Sequence, residues 1–430
     1  MWSVWTTLAL AAVGLSLILG FNIPYWDDWG DMVPLYTGVL PVDAASLWQR
    51  HNEHRIPLSR LILIGLGNAT GHDFRAGAVF NAVALSASAA LLLRSARGVD
   101  GRLRLADCAL PLLLLHWGQY MTLLWSYQVH TALLVLFSSA LLVILLKSSD
   151  PPSARLTIAF GAGLLLLPLC QAGGIVLATV LLGWYGAVGV LGLRSPEASG
   201  RRVGLVALAL VAATIVLIAV AYVPPRFRSA PDPVRVPWWS AVMLSTAFGM
   251  TEREPPATLL LPAATAALLL ATGVLLLRVW RAQPRERLRA AGLGLFLLGF
   301  LGLAIGIALG RHEYSRSNRY PALAAPLVCA SYLAWRRYGP GRSGTLVCAA
   351  TCAALVMLMP WNTASGLGFA RLQAETSASF EHDVRAGMPM EELLTRYVPA
   401  VHQTKRTLRK GLIDMHRSQV GVFRTEREPR

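Results

Sequence analysis

Four short polar stretches interrupt an otherwise apolar chain, and each carries residue types able to do chemistry. The first is Tyr25-Trp26-Asp27-Asp28-Trp29-Gly30-Asp31. Adjacent carboxylates at the edge of an apolar run are costly to desolvate, so they need a partner: a metal, an arginine or a substrate hydroxyl. An ionised carboxylate can also take the proton from an attacking hydroxyl. A solvated acidic loop end flanked by interfacial tryptophans would explain the same residues without chemistry.

The second stretch, His51-Asn52-Glu53-His54-Arg55-Ile56-Pro57, leads into the apolar run 58–66. His51 and His54 at i, i+3 with Glu53 between them can bind a divalent metal or orient the first-loop acids. Without chemistry, the same residues read as a polar helix cap before a short re-entrant or interfacial helix. Hydrogen bonding is preferred to metal, because H-x-x-H alone is weakly specific. The third stretch runs from Gly118-Gln119 through Trp125 and Gln128 to His130. Polar groups there sit at a turn between spans, where they serve either as helix–helix hydrogen bonds or as the polar floor of a cavity. The fourth is Arg311-His312-Glu313-Tyr314-Ser315-Arg316-Ser317-Asn318-Arg319-Tyr320-Pro321. Three arginines in one short loop suit a phosphate through their planar donor forks; pairing with Asp27, Asp28 or Glu53 is the structural alternative.

The elements that must hold these clusters follow from composition. Of 430 residues, 55% are hydrophobic and only 14% charged, against about 25% charged in soluble domains. That excludes an ordinary soluble enzyme, a disordered chain and a disulfide scaffold. At ~20 residues per span, apolar runs near 5–21, 75–96, 105–118, 122–147, 155–169, 171–193, 203–223, 257–279, 291–310, 321–337 and 344–360 predict an all-α, polytopic integral membrane protein of about 11 transmembrane helices. The expected division is a transmembrane domain over 1–360, with a first outer loop at 24–74, and a helical tail over 361–430. Gly387-Met388-Pro389 should break the tail into two amphipathic helices. The net charge of +16 does not signal nucleic acid, since the basic residues are scattered between apolar runs. The five cysteines all lie in apolar segments and read as small buried hydrophobes.

Eleven spans put the termini on opposite sides. With a cytoplasmic N-terminus, the inner loops hold 17 basic residues against five acids, and the outer loops, tail apart, 11 against 10. The positive-inside bias therefore places the N-terminus inside and the C-terminus outside. All nine histidines and the acids of the first loop then fall outside or at the outer face.

Together the stretches resemble bacterial membrane proteins of the GT-C glycosyltransferase superfamily: an acidic motif after span one (Asp27, Asp28), an NEHR-type motif (Asn52 to Arg55), a GQ…LW…Q motif (Gly118 to Gln128) and an SxRY element (Ser317, Arg319, Tyr320). The resemblance implies transfer of a sugar from a polyprenyl-phosphate-linked donor to a lipid, glycan or protein acceptor, on the outer side of the bacterial cytoplasmic (inner) membrane, in cell-envelope polysaccharide biosynthesis. It implies an acid of the first loop as base or metal ligand, here Asp27 or Asp28, and phosphate binding by Arg311, Arg316 or Arg319. The expected catalytic set is thus Asp27, Asp28 and Glu53. The expected substrate-binding set is His51, His54, Arg55, Gln119, Trp125, Gln128, Arg311, Arg316, Arg319 and Tyr320. A second acidic motif is missing, with Glu252, Glu254 and Glu313 as candidates only, so no cofactor is assigned and a divalent metal stays possible. The alternative is a transporter or flippase for a lipid-linked or anionic substrate. It would require ionisable residues at mid-membrane and a repeated two-half architecture, and the sequence shows neither.

Overall fold

The computed structural model describes residues 1–52, 54–148, 153–224, 232–249, 257–311 and 315–424. The fold is all-α and polytopic. Among the described residues, eight helices are long and apolar enough to cross a membrane: Trp2–Leu19, Arg75–Asp100, Ser126–Lys147, Ala172–Leu193, Ala198–Ala221, Thr258–Ala282, Pro284–Arg311 and Gly341–Arg385. The other three expected spans are also helical but shorter or less apolar. Ala154–Leu169 is only a short apolar helix. Pro321–Tyr338 carries two prolines, two tyrosines and the Arg336-Arg337 pair. The segment 105–128 breaks into Leu105–Cys108, Ala109–Leu115, Trp117–Gln119, Tyr120–Leu124 and Ser126–Gln128. His116 and Trp125 are extended at the breaks, and the segment is buried almost throughout. Irregular backbone survives at membrane depth only when protein surrounds it.

The loop expected between 223 and 257 contains a further short helix, Val236–Ser245, whose Val242, Met243 and Leu244 are buried. At the opposite end of the molecule from the acid loop, Arg336 grips Asp100 with both terminal nitrogens (2.7 and 3.0 Å), and its Nε reaches Asp107 at 3.3 Å. Tyr332 donates to the same Asp107 carboxylate at 2.8 Å. These acids are therefore occupied in joining helices.

The tail is not set off from the membrane domain at residue 360. The last span continues through Pro360 to Arg385 as one 45-residue helix, about 68 Å long at 1.5 Å per residue, roughly twice the ~30 Å hydrocarbon thickness. It stops where Gly387 adopts φ +72°. Met390–Tyr397 and Lys405–Ser418 then fold back against the first loop. Leu393, Leu394, Leu408, Leu412 and Met415 pack with Phe380 around Trp29 and Val33 in a second hydrophobic cluster. Trp29 is therefore a core residue, 1% exposed, and not part of an interfacial belt. A Cβ at Gly411 would stand 2.5 Å from the Trp29 ring, so glycine lets the Lys405–Ser418 helix lie against the indole.

Candidate functional site

The acid loop begins where Trp2–Leu19 ends. Trp26 has φ +47°, a region that bulky residues rarely occupy. Its N–H is tied to the Val401 carbonyl at 2.9 Å. Immediately after this turn the two aspartates part company. Asp28 is buried, 1% exposed, and accepts hydrogen bonds from Trp125 Nε1 (2.8 Å), the Tyr25 N–H (3.2 Å) and Ser126 Oγ (3.4 Å). Burial pushes its carboxyl up to about 7, against the pull of these donors. Asp27, with a side chain 32% exposed, faces a cavity. Burial works against its charge, but His51, Arg319 and His130 outweigh it and hold the carboxyl below its ordinary value. Asp27 is therefore ionised at neutral pH, and Asp28 is a structural acceptor.

The second polar stretch forms a minimal hairpin ahead of a helix. Arg50–His51 pairs antiparallel with His54–Arg55, His51 opposite His54. Directly opposed residues share one face of a ladder, so both imidazoles lie on the same side, their rings 5.6 Å apart. His51 Nε2 stands 3.7 Å from Asp27 Oδ2, and His51 Nδ1 stands 3.9 Å from Asp31 Oδ1. His54 is driven well below the usual imidazole range by burial, then by its neighbours His130, His51 and Arg311; it is a neutral ring. The short helix expected from the apolar run is present as Pro57–Thr70. Its Arg60, 1% exposed, pairs through Nη2 and Nε with both oxygens of Asp31 and donates to the carbonyls of Leu47 (3.0 Å) and Gln49 (2.6 Å). Tyr127 donates to the same Asp31 carboxylate at 2.8 Å. This clamp fixes the hairpin, the acid loop and the broken 105–128 segment to one another.

Asp27, His51, His54, Gln128, Arg311, Arg319 and Tyr320 converge on a single cavity of 330 Å³. Tyr127, His130, Thr131 and Gln171 complete its polar side. The remaining wall is apolar: Ile175 and Val176 come from the first turn of Ala172–Leu193, Leu303 and Ile307 from Arg287–Arg311, with Val223 and Leu323 beside them. The cavity thus joins a carboxylate–imidazole pair and two guanidinium groups to a hydrocarbon-like groove.

Of the other expected residues, Arg55 Nη1 donates to the Trp48 carbonyl at 2.5 Å, and Gln119 Nε2 donates to the Leu113 carbonyl at 2.6 Å. Trp125 holds Asp28 and stacks on Tyr127 at 5.8 Å. None of these, nor Arg316, lines the cavity. Glu53, Glu252, Glu254 and Glu313 lie outside the described residues. Arg60, Thr131 and Gln171 were not singled out from the sequence, while Asp31, Tyr127 and His130 lay within the polar stretches, His130 as part of a possible cavity floor. Arg60 and Gln171 had a usable signal, a lone strongly polar residue in an apolar run, where such groups demand a partner.

Among the described residues no three His, Cys, Asp or Glu side chains are grouped to hold a metal ion. Asp31 is taken by Arg60 and Tyr127, and Asp28 by Trp125. Among the described residues, that leaves Asp27 as the one carboxylate offered to the cavity, fewer oxygens than a hard divalent cation takes from protein.

No family model matches this sequence, and no curated protein matches it. Among solved structures, the chain is similar to ArnT from Cupriavidus metallidurans bound to undecaprenyl phosphate, at 17% sequence identity and a TM-score of 0.43, over 97% of this chain and 76% of that one.

Proposed function

We propose that the protein is an integral membrane glycosyltransferase, moving a sugar from a polyprenyl-phosphate-linked donor to a hydroxyl of a lipid, glycan or protein acceptor. One observation carries this reading: Asp27, Arg311 and Arg319 share a cavity whose other wall is an apolar groove between two membrane helices. A lipid phosphate needs cationic forks and hydrocarbon contact side by side, and transfer to a hydroxyl needs a base within reach of both.

In the proposed reaction the acceptor oxygen attacks the anomeric carbon and the carbon–oxygen bond to the phosphate breaks. The acceptor proton passes to Asp27, already ionised, with His51 beside it to hold the carboxylate. The bridging electron pair leaves on polyprenyl phosphate, whose charge Arg319 and Arg311 stabilise. A single displacement inverts the anomeric centre. The lipid chain lies along Ile175, Val176, Leu303 and Ile307.

The donor assignment is tested by thermal shift in detergent. A ligand bound only by the folded state adds about 2.7 kcal/mol at a hundred times its Kd, so polyprenyl phosphate should raise the melting temperature of the wild type. Arg319→Ala should melt like the wild type without ligand and lose most of that rise. Arg319→Lys keeps the charge without the fork and should fall between. No rise in the wild type would remove the lipid donor from the proposal.

Orientation follows from the arginine distribution, with the acid loop on the outer side of the cytoplasmic membrane. Four of the five native cysteines are buried, so labelling background is low. Cysteine placed at Val42, 53% exposed, should react with an impermeant reagent in intact cells. Cysteine at the exposed Gln283 should react only after permeabilisation. The reverse pattern would put the chemistry on the cytoplasmic side.

A further inference from the structure

Two buried nitrogens of the cavity wall have no hydrogen-bond partner: Gln171 Nε2 and His54 Nε2. An unsatisfied buried polar group costs about 1–3 kcal/mol, and at membrane depth irregular polar structure is tolerated where it lines a cavity. Gln171 is the one amide side chain in the uncharged run 156–193 and is 8% exposed. It sits in fully extended backbone, φ −175°, at the break between the Leu167–Leu169 turn and the Ala172–Leu193 helix, and it lines the cavity. Across that cavity, Thr131 Oγ1 donates to Gln128 Oε1 at 3.0 Å. This fixes the Gln128 amide and turns its NH₂ into the end available to a ligand.

We propose that Gln171, Gln128 and His54 form the hydroxyl-binding wall of the cavity and that the headgroup it accepts is an uncharged sugar. This rests on the glycosyltransferase reading and names its substrate class. Amides and a neutral imidazole both give and take hydrogen bonds, which matches neighbouring hydroxyls. Among the described lining residues the formal charges are those of Asp27, Arg311 and Arg319. The arginines are committed to the phosphate and Asp27 to the acceptor proton, so among the described residues no counter-charge remains for a carboxylate or an ammonium on the sugar. A site built to hydrogen-bond hydroxyls leaves its own polar groups unpaired when the hydroxyls are missing, and discriminates accordingly.

The test measures thermal shifts of the purified full chain with three probes: polyprenyl phosphate, polyprenyl phosphoglucose and polyprenyl phosphoglucosamine. The wild type should bind the phosphoglucose lipid at least about tenfold more tightly than the bare phosphate, the worth of a hydrogen bond or two. Gln171→Leu should keep the response to polyprenyl phosphate and lose the sugar increment. Gln128→Leu reads the same increment if Gln171→Leu does not fold. An increment that survives in the folded variants overturns the wall, and a larger increment with the amino sugar overturns the uncharged class. If polyprenyl phosphate shifts the wild type and the sugar adds nothing, this proposal falls while the lipid-donor reading stands. If neither lipid shifts it, both fall.

Discussion

Asp27→Asn is expected to lower sugar transfer by about 10²–10⁴-fold, the usual cost of removing a positioned general base, while the purified protein melts as the wild type does. The side chain is one-third exposed and His51 stands 3.7 Å away, so an amide is accommodated at the cavity edge. Asp28 separates the two roles. Asp28→Ala strands the Trp125 indole N–H and the Tyr25 N–H inside the protein, at about 1–3 kcal/mol each. Its loss of activity should therefore come with a lower melting temperature. Transfer rates and melting curves of the two variants decide the matter: an active Asp27→Asn enzyme beside an inactive, normally melting Asp28→Asn enzyme would exchange the assignments.

The largest stability effect should come from a residue that touches no substrate. Arg60→Met leaves Asp31 with Tyr127 as its main donor, and deprives the Leu47 and Gln49 carbonyls of theirs. Breaking a buried ion pair by removing one partner costs about 3–5 kcal/mol. Asp31→Leu in the same chain should recover part of that loss, because a pair removed together leaves no lone buried charge; coupling of about 0.5–3 kcal/mol is typical of touching residues. Melting temperatures of the two single variants and the double variant give the coupling directly. If Arg60→Met melts like the wild type, the clamp does not hold the loop in place.

Much of this was legible from residue types, and the misses share a cause. Apolar runs predicted helix wherever eleven segments were expected, because burying backbone away from water leaves few other solutions. Composition could not say that 105–128 is broken and buried, since its leucines suit a plain span equally well. Asp27 and Arg319 were identifiable as charges beside apolar runs, and His51 by its pairing with His54. That Asp28, adjacent to Asp27, points the other way depends on the Trp26 turn, which tertiary contacts with Val401 hold and no local preference announces. The i, i+3 spacing of His51 and His54 could not say how the rings meet; the hairpin brings them together by cross-strand pairing. Arg55 and Gln119 are polar for local reasons, each satisfying a backbone carbonyl near it. Gln171 went unnoticed because one amide barely dents the hydropathy of a long apolar run.

The packing of the tail on the first loop also sets a schedule. Among the described residues, Trp29 and its neighbours precede seven of the eight long apolar helices, yet of their partners Phe380 lies in the last of these and Leu394 and Leu412 follow them all. The loop that presents Asp27 must wait through the insertion of the whole bundle before its other half arrives on the same side of the bilayer. On the proposed reading, reactivity toward an activated lipid appears only once the tail has docked on the first loop.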